Sequence, residues 1–141
     1  MIPKGAFLKV VDNSGARLAQ VIGSYGHMGQ FGHIGDVVKV AIKDARGEKA
    51  PQGTMKKAVI VETKFPTHRK NGSHFCYTRN ACVLLSEKGT PVGNRVRSML
   101  SYEFFKPRWK RLRWAVGPGF TAFSSSPPMV VLAEGPRAGR K

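Results

Sequence analysis

Along Asp36–Lys43, Val38, Val40 and Ile42 take every second position, and Val37, Lys39, Ala41 and Lys43 fill the others. Successive strand side chains point to opposite faces, so this segment predicts a strand with one face in a core and ammonium groups on the other. Lys56–Lys64 has a continuous apolar centre, Ala58-Val59-Ile60-Val61, with lysines at both ends. That is the pattern of a central strand with basic rims. Ala6–Val11, Arg17–Gly23, His74–Thr78 and Ala81–Leu85 are further short runs rich in aliphatic, β-branched or aromatic residues, and also predict strands. Turn chemistry separates the runs, at Asn13-Ser14-Gly15, the glycine-rich Gly23–Gly35, Pro51-Gln52-Gly53 and Asn71-Gly72. Many short strands with frequent turns predict a mainly β protein, a small closed or nearly closed β-barrel.

The pattern changes after Gly93. Ser101–Ala115 interleaves Tyr102, Phe104, Phe105, Trp109 and Trp114 with Lys106, Arg108, Lys110, Arg111 and Arg113. Pro107 rules out one straight helix through it, so a helical turn or two is expected on either side. The aromatics either dock this segment on the barrel while its charges face outward, or stack on unpaired bases; docking supplies the anchors that a proline-interrupted segment needs. Gly117-Pro118-Gly119 and Ser124–Pro128 read as loops, Met129–Ala133 as a last strand, and Gly135–Lys141 as a loose basic tail.

Charge turns this outline toward a partner. The 141 residues, 41% hydrophobic, suffice for one domain with a single core, but the net charge is +16. Solubility is served by a net charge of roughly 2–8, so the excess implies an acidic partner, nucleic acid first and an anionic membrane second. Half of the excess, +8, lies in residues 1–93 and the other +8 in the much shorter 94–141. The longest apolar runs, such as Ala81–Leu85, have five residues, against the roughly 20 that cross a bilayer. No membrane span is expected. Met1–Val11 carries neither a signal peptide's apolar run nor a transit peptide's Arg/Ser-rich helix. Candidate phosphate contacts are Arg17, Lys39, Lys43, Lys56, Lys57, Lys64, Arg69, Lys70, Arg79, Arg95 and Arg97. Lys106, Arg108, Trp109, Lys110, Arg111, Arg113 and Trp114 are candidates for a C-terminal contact with RNA or protein.

Enzyme chemistry finds no foothold. His27, His33, His68 and His74 lack helical i, i+4 spacing and any accompanying acidic pair. The glycines from Gly23 to Gly35 form neither a GxxxxGK[ST] cradle nor a GxGxxG turn opening a helix. Cys76 and Cys82 lack CxxC spacing and read as ordinary thiols in a reducing compartment. No catalytic residue, metal site or cofactor is expected.

Several segments resemble one family. Val11-Asp12-Asn13-Ser14-Gly15-Ala16, Gly35–Ala45 and Arg79–Leu85 occur in the order found in the universal large-subunit ribosomal protein family numbered fourteen, of bacterial type. The family's signature spacing is also filled: Ala58-Val59-Ile60-Val61, then Asn71-Gly72, Tyr77, Asn80 and Val83-Leu84. Pro91-Val92-Gly93-Asn94-Arg95-Val96 is similar to its Pro-x-Gly-Thr-Arg segment, with Asn94 in place of Thr. The likeness runs from Met1 to Val96 and fades beyond it. The resemblance implies a five-stranded barrel core over 1–96. It leaves 97–141 as a divergent basic segment packed on the same domain, with a loose tail from about 135. A lengthened, divergent C-terminus on a bacterial-type core resembles an organellar member, which implies the mitochondrial ribosome, with plastid or bacterial cytoplasm as alternatives.

The resemblance also implies partners: large-subunit rRNA, ribosomal proteins of the third and nineteenth large-subunit families, and small-subunit rRNA across an intersubunit bridge. A ribosome-silencing factor docking near Gly93-Asn94-Arg95 is implied as well. Asn13-Ser14-Gly15 would form a tight turn, Gly35-Asp36 a strand entry and Asn80-Ala81 a close barrel contact. The alternative from the residues alone is a free OB-like regulator that stacks single-stranded RNA on Trp109 and Trp114.

Overall fold

The computed structural model describes residues 1–24, 31–105 and 112. Within them the elements are β1 (Ile2–Pro3), β2 (Phe7–Val10), β3 (Ala16–Ser24), β4 (Phe31–Gly32), β5 (Val37–Ala45), β6 (Met55–Glu62), β7 (Thr67–His68), β8 (His74–Phe75), β9 (Ala81–Leu85) and a short 3-10 helix, Tyr102–Phe105. Strands β2, β3, β5, β6 and β9 close into a five-stranded barrel in that order. The two-residue strands pair as β1 with β4 and β7 with β8. Among the described residues no helix is long and apolar enough to cross a membrane.

Closure depends on the parallel pairing of β2 with β9, in which Lys9 lies opposite Ala81 and Val10 opposite Cys82. This seam is short, and the Asp12 carboxylate extends it by accepting the Leu84 amide at 2.9 Å. Its other oxygen accepts the Ser14 amide at 2.9 Å and the Ser14 hydroxyl. The turn Asn13-Ser14-Gly15 is therefore tied to the seam. Closing the sheet leaves no free edge along the barrel, which removes a ready template for aggregation.

Period-two patterning fills the interior. Leu8, Ala19, Val38, Val40, Ile42, Ala58, Ile60, Cys82 and Leu84 point inward and are almost wholly buried. Burial, with a smaller push from the nearby Asp12 charge, raises the pKa of the Cys82 thiol, so it packs as a small apolar group. The intervening residues of β6 and β9, Val59, Val61, Ala81, Val83 and Leu85, are buried as well, under Val96, Leu100, Phe104 and Leu112. Their apolar runs are continuous because both faces of these strands are covered.

The small strands depart from expectation. The run expected over His74–Thr78 pairs only at His74 and Phe75, opposite His68 and Thr67. Tyr77 leaves the ladder: its amide donates to the Thr63 carbonyl at 2.9 Å and its hydroxyl to the Met99 carbonyl at 3.2 Å. Pro3 and Gly32 obscure β1 and β4, since neither residue favours a strand. Of the two expected helical turns flanking Pro107, the first is Tyr102–Phe105. Of the second only Leu112, helical and buried, is described; Met129–Ala133 and Gly135–Lys141 lie outside the described residues.

Candidate nucleic-acid interface

Strand directions sort the loops onto two ends of the barrel. At one end β2 and β5 finish, β3 and β6 begin, and β9 runs out in parallel with β2. Segments 11–16, 45–55 and 85–97 therefore converge there, and glycines permit the approach. A Cβ on Gly15, whose φ is +91°, would lie 2.7 Å from the Gly47 Cα, and one on Gly93 would lie 2.7 Å from the Asn13 amide nitrogen. Both contacts are below what any side chain tolerates, so three backbones can meet only through glycine.

Hydrogen bonds fix arginines at this junction. The Arg46 amide donates to the Gly15 carbonyl at 2.8 Å, the Arg95 carbonyl accepts the Asn13 amide at 2.9 Å, and the Arg97 amide donates to the Val11 carbonyl at 2.7 Å. Arg17 occupies a register irregularity between Ala16 and Leu18. All four are exposed. Lys43, exposed, and Lys56, half-buried, flank the same end. Asp44 and Glu48 offset part of this charge. Four guanidiniums on one loop cluster can bind several phosphates of an anionic polymer.

At the other end the hairpin β7–β8 projects, its tip held by the Arg69 amide donating to Ser73 O at 2.9 Å and by Asn71 Oδ1 accepting the Ser73 amide at 3.0 Å. Lys70 and Lys64 are exposed here. Arg69 is engaged differently. Its fork donates to Glu103 at 2.7 and 3.3 Å, and its guanidinium lies 4.2 Å above the Phe75 ring. Burial pushes the Glu103 carboxyl up, but hydrogen bonds from Arg69, Ser101 and the backbone, with a smaller contribution from the Arg69 charge, together outweigh it and hold its pKa below the ordinary value.

Arg79 is engaged in the same way. It donates to the fully buried Glu62 at 2.6 and 3.2 Å, and the Ser98 hydroxyl donates to the same carboxylate at 2.6 Å. The Glu62 hydrogen bond raises the Arg79 pKa against the opposing effect of burial. Burial, followed by the Glu62 charge, raises that of the Tyr77 phenol. Two of the expected phosphate contacts thus lock the 98–103 segment and the hairpin onto the barrel.

The remaining expected positions fall on the barrel wall, where Lys39 lies opposite Lys57 in register. Lys106, Arg108, Trp109, Lys110, Arg111, Arg113 and Trp114 lie outside the described residues, as does His27. His33, His68 and His74 are exposed, and among the described residues no group of three His, Cys, Asp or Glu side chains could hold a metal ion. Arg46 does not stand out in the sequence. Its local signal is the glycine that follows it, which allows the close pass against Gly15.

Gly35, at φ +88°, enters β5 with its amide donating to Ile60 O at 2.9 Å. Asn80 joins β2 to the segment that follows β6, its carbonyl accepting Lys9 N at 3.0 Å and its side-chain oxygen accepting Lys64 N at 2.9 Å.

Residues 1–115 match the model of the family described as Ribosomal protein L14p/L23e. The chain is 36% identical over 132 residues to the large ribosomal subunit protein uL14 of Aquifex aeolicus, covering 93% of this chain and all of that protein. The uL14 of Aquifex pyrophilus is similar to the same extent, 36% over 132 residues. The large ribosomal subunit protein uL14m of Schizosaccharomyces pombe is 38% identical over 110 residues, 73% of this chain and 86% of that one.

Proposed function

The chain belongs to the ribosomal protein L14p/L23e family, and on that premise we propose that it is a structural constituent of a large ribosomal subunit, held there by rRNA. The observation that carries the rRNA contact is the glycine-enabled meeting of three loops, which sets Arg17, Arg46, Arg95 and Arg97 on one barrel end. Lys64 and Lys70 are the phosphate contacts of the opposite end, whereas Arg69 and Arg79 serve the fold. Members of this family are structural components of ribosomes rather than enzymes.

The chain also takes part in an intersubunit bridge with small-subunit rRNA, and a ribosome-silencing factor docks near Gly93-Asn94-Arg95 on the same end. Ribosomal proteins of the third and nineteenth large-subunit families are its proposed neighbours. Similarity to a relative named uL14m supports a place in the mitochondrial ribosome.

A tagged full-length chain run through low-salt sucrose gradients tests this reading. It should co-sediment with large subunits and enrich with those of mitochondria. A chain running free of every large subunit overturns the proposal. Replacing Arg17, Arg46 and Arg95 together by Glu should release it at lower salt, and the slope of binding against salt should fall by about one for each phosphate that is no longer neutralised.

A further inference from the structure

The outer wall formed by β2, β3, β5 and the first half of β6 carries large apolar side chains at the surface. Phe7 is 54% exposed, Leu18 36%, Ile22 45% and Met55 59%. They are not scattered. Phe7 lies opposite Gln20, Gln20 opposite Ala41, and Ala41 opposite Met55, so these residues form one row across four strands. Three strand spacings make it about 14 Å long. Leu18 and Ile22 lie to either side of Gln20 on β3, Ile22 at the register irregularity between Val21 and Gly23. The Gln20 amide donates to the Gly5 carbonyl at 3.1 Å, which draws its side chain off the row toward β2. Ala41 is then the low point, and Lys39 and Lys43 follow two residues away on each side along β5.

We propose that this wall docks a protein segment that places an apolar side chain over Ala41 and carboxylates over Lys39 and Lys43, positions about 13 Å apart along the strand. This rests on the ribosomal reading and adds which face of the barrel takes protein rather than RNA. The choice follows from the chemistry of the row. Leu18, Ile22 and Met55 offer neither hydrogen bonds to phosphate and ribose nor planes for stacking bases, and Phe7 offers a single ring at one end of the row. Contiguous apolar surface with Met and aromatic side chains is instead the composition of a protein interface core. The lysines set the sign of the partner: they favour carboxylates and repel a basic segment, including residues 113–141 of this chain, which are themselves net positive.

The test is photocrosslinking in assembled particles. Met55 is replaced by a photoreactive phenylalanine analogue in the full chain, large subunits are isolated and irradiated, and the crosslinked species is sequenced. The expected product is a protein peptide carrying an apolar residue with carboxylates two or three positions away. In the same background Ala41→Glu, which sets a carboxylate where the partner's apolar side chain would sit, should lower its yield about tenfold while the chain stays in the subunit.

A crosslink to rRNA, a crosslink to residues 113–141, a peptide without carboxylates, or no crosslink from subunits that contain the chain each overturns the proposal. A chain missing from large subunits altogether removes the ribosomal reading first, and this proposal with it.

Discussion

The barrel has two walls built from the same kind of strand and used in opposite ways. On the β6–β9 side, Val59, Val61, Val83 and Leu85 point away from the interior yet are buried, because Val96, Leu100, Phe104 and Leu112 lie over them. On the β2–β3–β5 side, Phe7, Leu18 and Ile22 occupy equivalent outward positions and stay exposed among the described residues. Strand β6 crosses from one regime to the other, with Met55 exposed at its start and Val59 and Val61 buried further on. An outward apolar side chain is therefore part of the core on one wall and surface on the other. The difference is made by what returns to cover it.

The most severe way to break this contrast is to remove the cover. Phe104→Ala, at a fully buried position, should destabilise the full chain by about 3–5 kcal/mol in urea unfolding. Phe7→Ala on the open wall should change stability by less than about 0.5 kcal/mol. Equal losses at the two sites would refute the distinction.

Next is the clamp that holds the cover down. Arg79→Ala leaves the buried Glu62 carboxylate with Ser98 alone, and should cost about 3 kcal/mol, the lower end of the range for breaking a buried pair because Arg79 is itself partly exposed. A double-mutant cycle with Ser98→Ala, showing coupling above about 0.5 kcal/mol, would place both residues in one network. Gly15→Ala combines a left-handed φ with a 2.7 Å approach to Gly47, and should cost about 1–3 kcal/mol, visible as a lower melting temperature. The same substitution should weaken rRNA binding if it displaces Arg46.

The smallest effect concerns pH. The Glu103 pKa is lowered in the folded chain from its ordinary 4.5. The Arg69–Glu103 pair therefore contributes fully above that value, and its contribution is lost as pH falls through the lower folded pKa. Glu103→Gln should flatten the change in stability between about pH 6 and pH 3 by a fraction of a kcal/mol, the scale of a partly exposed pair. An unchanged pH profile would show that the pair adds nothing.

Much of the barrel was legible because strand signals are local. Alternation over β5 named its buried face residue by residue, and the unbroken apolar runs of β6 and β9 marked strands without a solvent face. Which residues cover their outer side was not legible, since Val96, Leu100, Phe104 and Leu112 reach it only through the fold of the chain. The site divided similarly. Exposed Arg17, Arg95 and Arg97 stood out as charge. Arg69 and Arg79 looked the same in sequence, yet each is held by a carboxylate distant along the chain, Glu103 and Glu62 respectively. With 8 acidic residues against 24 basic ones, few arginines can be paired in this way. Which ones are paired follows from packing.

By itself the sequence determined the five barrel strands, the inward set of side chains, the turns that need glycine and the excess of positive charge. Each of these depends on residues a few positions apart. The tertiary structure alone decided that Gly15 meets Gly47, that Arg46 joins Arg17 and Arg95 on one end, that two arginines clamp the C-terminal segment, and that an apolar row remains open beside Lys39. Those outcomes depend on barrel closure. Parallel pairing of β2 with β9 brings together residues some seventy positions apart, and the register it sets assigns each outward side chain to cover, charge cluster or open face.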